Sequence, residues 1–472
     1  MFKIKNITSR LLVFYNLVAI ANLLYLFVNS LNKAIIYEDS FALLKPPELN
    51  LINWLLIPNN GHLMVISKFF SYVLTNLKLY PTSYFIPFGI LIIFIALYFL
   101  WKIVNFISEN KKNKIIIFLI CSYFWISPWH WENFIWEFQF PWFLVSSLVI
   151  ISTFILMKKN SEDFEFIEKL FLFFSPIIAI ASTGAGICYV NCLMINCSIS
   201  KRKKLFPFFG IILSYFLFIF VRLTTENNNF LNFDLFTNFK YIAVMLATIF
   251  KGPISANNSY SFIHWVIPIF SSLLIQLFLI VNINWKNFFK SINLSQKFAL
   301  LNPIIFSLQF AFITSLARSN YGIHQGAVSR YLTCLVLLPI GLIIIFYYTN
   351  NINQETLIEK KINLKDRFYF LSKFDSFYLI IIICIVMNTT SFLKTIYESQ
   401  ISYDVRFQNF QIFKESCLKK SDLNNEIILE KNFYKLKDYL TTNKPPFPDS
   451  KNPEIFKNYI QSELCDLTNS YF

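Results

Sequence analysis

Charge is what this chain is shortest of. Only 15% of its 472 residues are Asp, Glu, Lys or Arg, while 56% are hydrophobic and mean hydropathy is +0.51. Soluble domains carry about 25% charged residues, so the shortage excludes an ordinary soluble domain. Repeated apolar windows near the roughly 20-residue bilayer-spanning length point instead to a polytopic membrane protein. Acidic residues are scarcer than basic ones, 27 against 42, giving a net charge of +15. In a soluble protein that surplus suggests nucleic acid. Here no basic helix interleaved with exposed aromatics is present, which excludes a nucleic-acid partner, and the lysines cluster between apolar runs, the positive-inside signature. Glycine is rare, with 9 residues, beside an excess of Phe, Ile, Lys and Asn; this bias reads as codon usage and says nothing of mechanism. No small-residue cleavage site follows the first apolar run, Leu11 to Leu31, so it reads as a retained anchor. No internal repeat is visible, and no aspartate cluster suggests an obligatory divalent ion.

Apolar runs and basic loops together predict an all-α polytopic membrane protein with about eleven transmembrane helices, N-terminus inside and C-terminus outside. The expected spans are Leu11–Leu31, Ser83–Val104, Ile115–Trp129, Ile135–Met157, Leu170–Ser182 and Ile187–Ile199. They continue with Leu205–Leu223, Phe262–Ile283, Phe298–Leu316, Val328–Tyr348 and Ser376–Leu393. Phe236 to Phe250 is expected on or dipping into the outer face, because a crossing there breaks the in–out alternation. Lys3, Lys5 and Arg10 place the N-terminus in the cytoplasm, and Lys201-Arg202-Lys203-Lys204 marks the same side again. In the first outer loop (32–81), Glu48–Leu56 and His62–Leu77 read as short surface helices, with Trp54 and Tyr72 suited to the interface and Asn59-Asn60-Gly61 as a cap signal. The domain division is 1–394, a transmembrane domain, and 395–472, a small extracytoplasmic C-terminal domain.

Six cysteines, Cys121, Cys188, Cys192, Cys197, Cys334 and Cys384, fall in the spans and read as small hydrophobes; no histidine accompanies the 188/192/197 spacing, so no metal is expected. Cys417 and Cys465 fall in the outer tail, where an oxidising compartment favours a disulfide.

With this topology the unusual polar residues gather outside. Glu38, Asp39, His62 and Lys68 lie in the first outer loop. His130, Trp131, Glu132, Trp136 and Gln139 follow the third span, and the Gly184-Ala185-Gly186 turn joins the fifth and sixth. Arg318, His324, Arg330 and Tyr331 cluster between the ninth and tenth. Arginine near hydrocarbon is costly and either snorkels to headgroups or pairs with an anion, and its planar fork suits phosphate. The Trp129, Trp131, Trp136 and Trp142 group reads mainly as an interfacial belt, or else as a sugar-stacking platform with Glu132 and Gln139 bonding hydroxyls. The acidic pair is either a solvated loop or a site.

Glu38-Asp39, Asn60-Gly61-His62 with Lys68, Trp131-Glu132-Asn133, Trp136-Glu137-Phe138-Gln139 and Ser329-Arg330-Tyr331, in that order over about Leu11 to Tyr348, resemble the type C family of integral-membrane glycosyltransferases. The trailing domain is similar in layout to the glucosyltransferases that modify bacterial O-antigens. In that group the histidine motif commonly reads Asn-Glu-His-Arg; here Gly61 and Leu63 flank His62, and Glu137 stands where glycine is expected. The resemblance implies a bundle of that family in a bacterial inner membrane, moving a sugar from a polyprenyl-phosphate donor to an extracytoplasmic glycan or lipid-linked acceptor without a further cofactor. In it Asp39 is the general base and Glu38 the alternate or acceptor-orienting group. Arg318 and Arg330 bind the donor phosphate with His62, Lys68 and His324, and Trp131, Glu132, Trp136, Gln139 and Tyr331 hold the sugar or acceptor. Two other classes fit the same composition: an O-antigen polymerase or ligase, which shares the outer arginines but depends less on the acidic pair, and a lipid-linked saccharide transporter or flippase, whose inverted repeats are not visible here.

Overall fold

The computed structural model describes residues 2–32, 43, 49–58, 63–77, 79, 81–130, 133–134, 139–158, 164–199, 205–224, 232–247, 249–250, 262–291, 294–321, 331–359 and 364–418. Among them every element is helical and none is a strand. In chain order these are α1 (Phe2–Asn32), α2 (Leu51–Leu56), α3 (Val65–Asn76), α4 (Pro81–Ile107), α5 (Lys111–Trp125) and α6 (Phe140–Met157). Then come α7 (Phe166–Ile180), α8 (Gly186–Ile199), α9 (Leu205–Thr224), α10 (Leu235–Ala247) and α11 (Phe262–Asn282). The last are α12 (Trp285–Ser291), α13 (Leu294–Arg318), α14 (Leu332–Leu335), α15 (Leu337–Glu359) and α16 (Leu364–Leu418).

Among the described residues six stretches are long and apolar enough to cross a membrane: Ile4–Ser30, Tyr84–Ile107, Phe140–Met157, Leu294–Arg318, Leu332–Asn350 and Lys373–Ile401. Shorter apolar helices, Gly186–Ile199, Phe206–Phe220, Leu235–Ala247 and Val266–Asn282, pack among them. The bundle has a centre and a rim: 94% of the Leu332–Asn350 window is buried, against 39% for Ile4–Ser30 and for Lys373–Ile401. On the rim large apolar side chains such as Phe14, Leu17, Phe216 and Phe312 face outward, as expected where lipid is the solvent. The chain is thus an all-α polytopic membrane protein.

Side-chain bonds fix which helix ends lie together. Lys5 Nζ donates to Asn113 Oδ1 (2.7 Å), joining the starts of α1 and α5. Gln296 Nε2 donates to Met157 O (3.1 Å), and Lys158 Nζ donates to Glu168 Oε1 (2.6 Å), joining the finish of α6 to the starts of α13 and α7. Glu168 also accepts the backbone N–H of Glu165 (3.1 Å), closing the first turn of α7. We call this the near end. At the far end Ile66 N donates to Ala181 O (3.2 Å), tying α3 to the turn between α7 and α8, and Asn232 N donates to Leu316 O (2.9 Å), tying the approach of α10 to the finish of α13.

Apolar helices have no hydrophobic drive to associate within lipid, so small residues and polar bonds do the joining. Asn196 Nδ2 reaches Asn302 Oδ1 (2.5 Å) between α8 and α13, Asn388 Nδ2 reaches Ser271 Oγ (2.8 Å) between α16 and α11, and Tyr347 and Tyr378 pair through their hydroxyls (3.1 Å) between α15 and α16. Gly210 lets α9 press against α7: a Cβ there would collide with the carbonyl oxygen of Phe173.

Several expected boundaries move. The third span was expected over Ile115–Trp129, but α5 stops at Trp125 and a 3-10 turn, Pro128–His130, follows; Pro128 has no N–H with which to continue the helix. The tenth, expected over Val328–Tyr348, is split between α14 and α15 and runs on to Glu359. The break falls just before Pro339, which leaves Leu335 O without its usual donor. α16 runs as one helix from Leu364 through Leu418, about 80 Å at 1.5 Å per residue, so the expected boundary at 394/395 falls inside a continuous helix. Residues 419–472, including Cys465, lie outside the described residues, and Cys417 is placed in α16 by its backbone alone. The expected cap at Asn59-Asn60-Gly61 is not the one found: α3 begins after Met64, which makes no side-chain cap bond.

Candidate functional site

The far end is built on two buried polar knots and one buried lysine. The first knot closes the α5 finish. His130 is fully buried. Its Nε2–H donates to Phe124 O (3.0 Å), a carbonyl left open by the end of α5, which fixes the tautomer, and its Nδ1 accepts from Thr333 Oγ1 (3.1 Å). Thr333 in turn accepts from Asn133 Nδ2 (2.6 Å). Burial pushes the His130 pKa down to about 4, so the ring is neutral at physiological pH. Both ring nitrogens are spent on holding the start of α14 against the finish of α5. His130 therefore acts as a structural clamp and not as an accessible acid or base.

Trp129, expected in an interfacial belt, is also in the core. It is 1% exposed, meets Tyr123, Phe250 and Phe392 edge-on, and donates its indole N–H to Ser391 Oγ (3.3 Å). Trp54, expected to face the interface, is likewise buried within the protein, with Lys68 over its ring.

Lys68 is the buried cation of this end, 1% exposed on α3. Its ammonium donates to Trp54 O (2.8 Å) and Ile57 O (2.6 Å) at the finish of α2, where Trp54 O also accepts the N–H of Ile57 (3.3 Å), and sits 5.5 Å from the Trp54 ring centroid. A cation at a helix C-terminus is favourably placed. Burial nonetheless lowers its pKa from 10.5 to about 7. Two of its three protons are spent within the protein, so Lys68 locks the α2–α3 hairpin. On the same buried face Trp54 Nε1, Ser67 Oγ and Ser71 Oγ have no hydrogen-bond partner among the described residues.

Of the residues expected to act on donor or acceptor, four are described. Lys68 has just been placed. Gln139 precedes α6 and is 3% exposed, with its Oε1 buried and unbonded among the described residues. Tyr331 is 5% exposed and packs edge-on against Trp142 (6.1 Å) and Phe310 (5.9 Å). Arg318 ends α13 and is half-buried. All four stand at the far end, with Gln139 and Tyr331 sharing one wall through Trp142 on α6. Glu38, Asp39, His62, Trp131, Glu132, Trp136, His324 and Arg330 lie outside the described residues.

No family model, no curated protein and no solved structure matches the chain. The site therefore rests on its own chemistry. Among the described residues no group of His, Cys, Asp or Glu could hold a metal ion. Cys121, Cys188, Cys192, Cys197, Cys334 and Cys384 are buried inside the bundle and form no disulfide among the described residues; Cys192 Sγ lies 3.8 Å from Asn302 O and Cys384 Sγ 3.7 Å from Ser271 O.

Sequence reasoning missed the second knot, formed by Asn232, Asn238 and Ser319. Ser319 Oγ receives Asn232 Nδ2 and donates to Asn238 Oδ1, both at 2.8 Å. Asn232 and Asn238 drew no expectation, because their pairing with a residue some 80 positions away carries no local signal.

Proposed function

We propose that the chain is an integral-membrane glycosyltransferase of the type C kind, moving a sugar from a polyprenyl-phosphate donor to a glycan or lipid-linked acceptor at the extracytoplasmic face of a bacterial inner membrane. The supporting observation is the asymmetry of the bundle. Arg318, Tyr331, Gln139 and Lys68 share the far end, whereas the near end carries the lysine-rich turns, with Lys5, Lys112 and Lys158 at helix starts and finishes. By the positive-inside rule the near end is cytoplasmic. Eleven crossings follow: α1, α4 to α9, α11, α13, α14 with α15, and α16, leaving α10 on the outer side. α7 and α8, about 22 and 21 Å long, fall short of the roughly 30 Å hydrocarbon core. We take their joining turn, to which α3 is bonded through Ile66 and Ala181, as the floor of the proposed depression in the outer surface.

In that depression Asp39 takes the proton of the acceptor hydroxyl as its oxygen bonds the anomeric carbon, with Glu38 orienting the acceptor. The bond from that carbon to the phosphate oxygen breaks, and its electron pair leaves on the polyprenyl phosphate. Arg318 and Arg330, with His62 and His324, meet the charge that develops there. A single displacement inverts the anomeric centre. Trp131, Glu132 and Trp136 hold the sugar, and Gln139 and Tyr331 shape the wall behind it.

The test uses the full chain in nanodiscs with a panel of polyprenyl-phosphate hexoses and envelope glycan acceptors, reading release of polyprenyl phosphate. Asp39→Asn and Arg330→Gln should each lower turnover by roughly a hundredfold or more, the range of a lost general base or charge stabiliser. Activity kept in D39N and lost in R330Q favours a polymerase or ligase. Activity kept in both contradicts the proposal.

A further inference from the structure

A helix finishes with four carbonyls that lack intrahelical donors. At the finish of α13 the chain entering α10 supplies donors from a distance. Asn232 N donates to Leu316 O (2.9 Å). Asn232 Nδ2 donates to Ser319 Oγ (2.8 Å), Ser319 Oγ donates to Asn238 Oδ1 (2.8 Å), and Asn238 Nδ2 donates back to Asn232 O (2.6 Å). The ring closes on itself with every bond running in one direction. Ser319 and Asn238 are each 3% exposed, so every member depends on the others to avoid a buried unpaired group. The approach is itself braced: Asp234 N donates to Asn232 Oδ1 (2.9 Å), and the Asp234 carboxylate accepts from Phe236 N (3.0 Å) and Thr237 Oγ1 (2.5 Å) at the start of α10.

Arg318 sits between the two gripped points, Leu316 and Ser319. The backbone bond to Leu316 O satisfies one of those carbonyls. The side-chain ring goes further and grips the residue directly after the arginine, where α13 gives way to the 3-10 turn Ser319–Tyr321.

We propose that Asn232 and Asn238 are positioning residues, whose ring around Ser319 fixes the turn from which Arg318 presents its guanidinium to the phosphate head of a lipid. The proposal rests on the reading of Arg318 as a phosphate ligand. A planar fork needs orientation as well as charge to meet phosphate oxygens, and a rigid base supplies it.

The experiment measures binding of a polyprenyl phosphate and, in parallel, of phosphatidic acid to the full-length protein in detergent, alongside its thermal unfolding. Asn238→Ala and Ser319→Ala should weaken binding roughly fivefold to tenfold, the size of a misaligned hydrogen bond to an ionised group. Ser319→Thr, which keeps the hydroxyl, should restore it. In an Arg318→Gln background Asn238→Ala should have no further effect, because the effect passes through Arg318. Weakening of both lipids assigns the effect to the phosphate head, and weakening of one assigns it to that lipid. If R318Q weakens binding and N238A does not, the positioning role is overturned while Arg318 keeps its place in the site. If N238A and R318Q add, or S319T fails to rescue, the ring is only a helix cap and the proposal falls. If R318Q itself binds normally, the phosphate role of Arg318 fails and the positioning role with it.

Discussion

Acidification is expected to loosen the far end of the bundle through His130. The ring is fully buried, its Nε2–H is given to Phe124 O and its Nδ1 takes the Thr333 hydroxyl proton. Protonation would bury a charge and set a second donor against Thr333, which already accepts from Asn133. Its pKa therefore falls from 6.5 to about 4. The fold favours the neutral ring, so the contribution to stability is complete above pH 6.5 and is lost as pH falls toward about 4, where the folded state also takes up the proton. At about 1.4 kcal/mol per unit, acidifying to about pH 4.5 removes between about 2 and 3 kcal/mol. The assay is unfolding in mixed micelles, followed by tryptophan fluorescence at a series of pH values. His130→Gln is the reference, since a glutamine amide can still donate toward Phe124 O and does not titrate. Subtracting its profile removes the titrations common to both proteins. The wild type should show an extra loss between pH 6.5 and 4 that H130Q lacks. Superimposable acid profiles would refute the assignment of His130 as a neutral clamp.

Three further expectations follow from the packing. Lys68→Met removes the donor to Ile57 O and the second donor to Trp54 O, at roughly 1–3 kcal/mol for a carbonyl left unpaired, and should speed amide hydrogen exchange across α2 and α3. Because the Lys68 pKa is lowered from 10.5 to about 7, the unfolded hairpin binds more protons between those values; intrinsic-rate-corrected protection should rise with pH over that window in the wild type and stay flat in K68M. Gly210→Leu should separate α7 from α9 and lower the yield of folded protein in mild detergent, whereas Gly89→Ala, whose Cβ meets nothing within 4 Å, should leave stability within about 1 kcal/mol of wild type. Asn302→Leu removes the acceptor for Asn196 and should cost roughly 1 kcal/mol in an unfolding titration, the scale of interhelical bonds in membranes.

Much of the architecture was legible in the sequence for a single reason: crossing a bilayer demands runs of apolar residues, and those runs are local. α4 and α6 to α9 begin and end close to where the runs predict, α1 ends where expected but starts at Phe2 instead of Leu11, and α10 covers most of the short apolar run expected at Phe236–Phe250. Errors gather where a distant partner decides. Trp129 and Trp54 look like interfacial tryptophans until Ser391, Phe392 and Lys68 cover them. His130 looks like an outer-loop polar residue until Phe124 and Thr333 take both its nitrogens. α5 ends early because of Pro128, a local signal outweighed by the apolar run around it, and α14 parts from α15 just before Pro339. Lys68 was singled out as a cation out of place, which it is, but its carbonyl partners on α2 could be found only in the folded chain.

The account turns on an acid that follows α1 and a guanidinium that precedes Tyr331 meeting in one outward-facing pocket. The direct measurement is cross-linking of the doubly substituted Asp39→Cys, Arg330→Cys protein, in a background without its native cysteines, by a short bifunctional maleimide in native membranes. The account predicts an efficient intramolecular link, reached by reagent added from the extracytoplasmic side and suppressed by a polyprenyl-phosphate sugar. Labelling of the two positions from opposite sides of the membrane, or labelling of both from outside without a link between them, would contradict it.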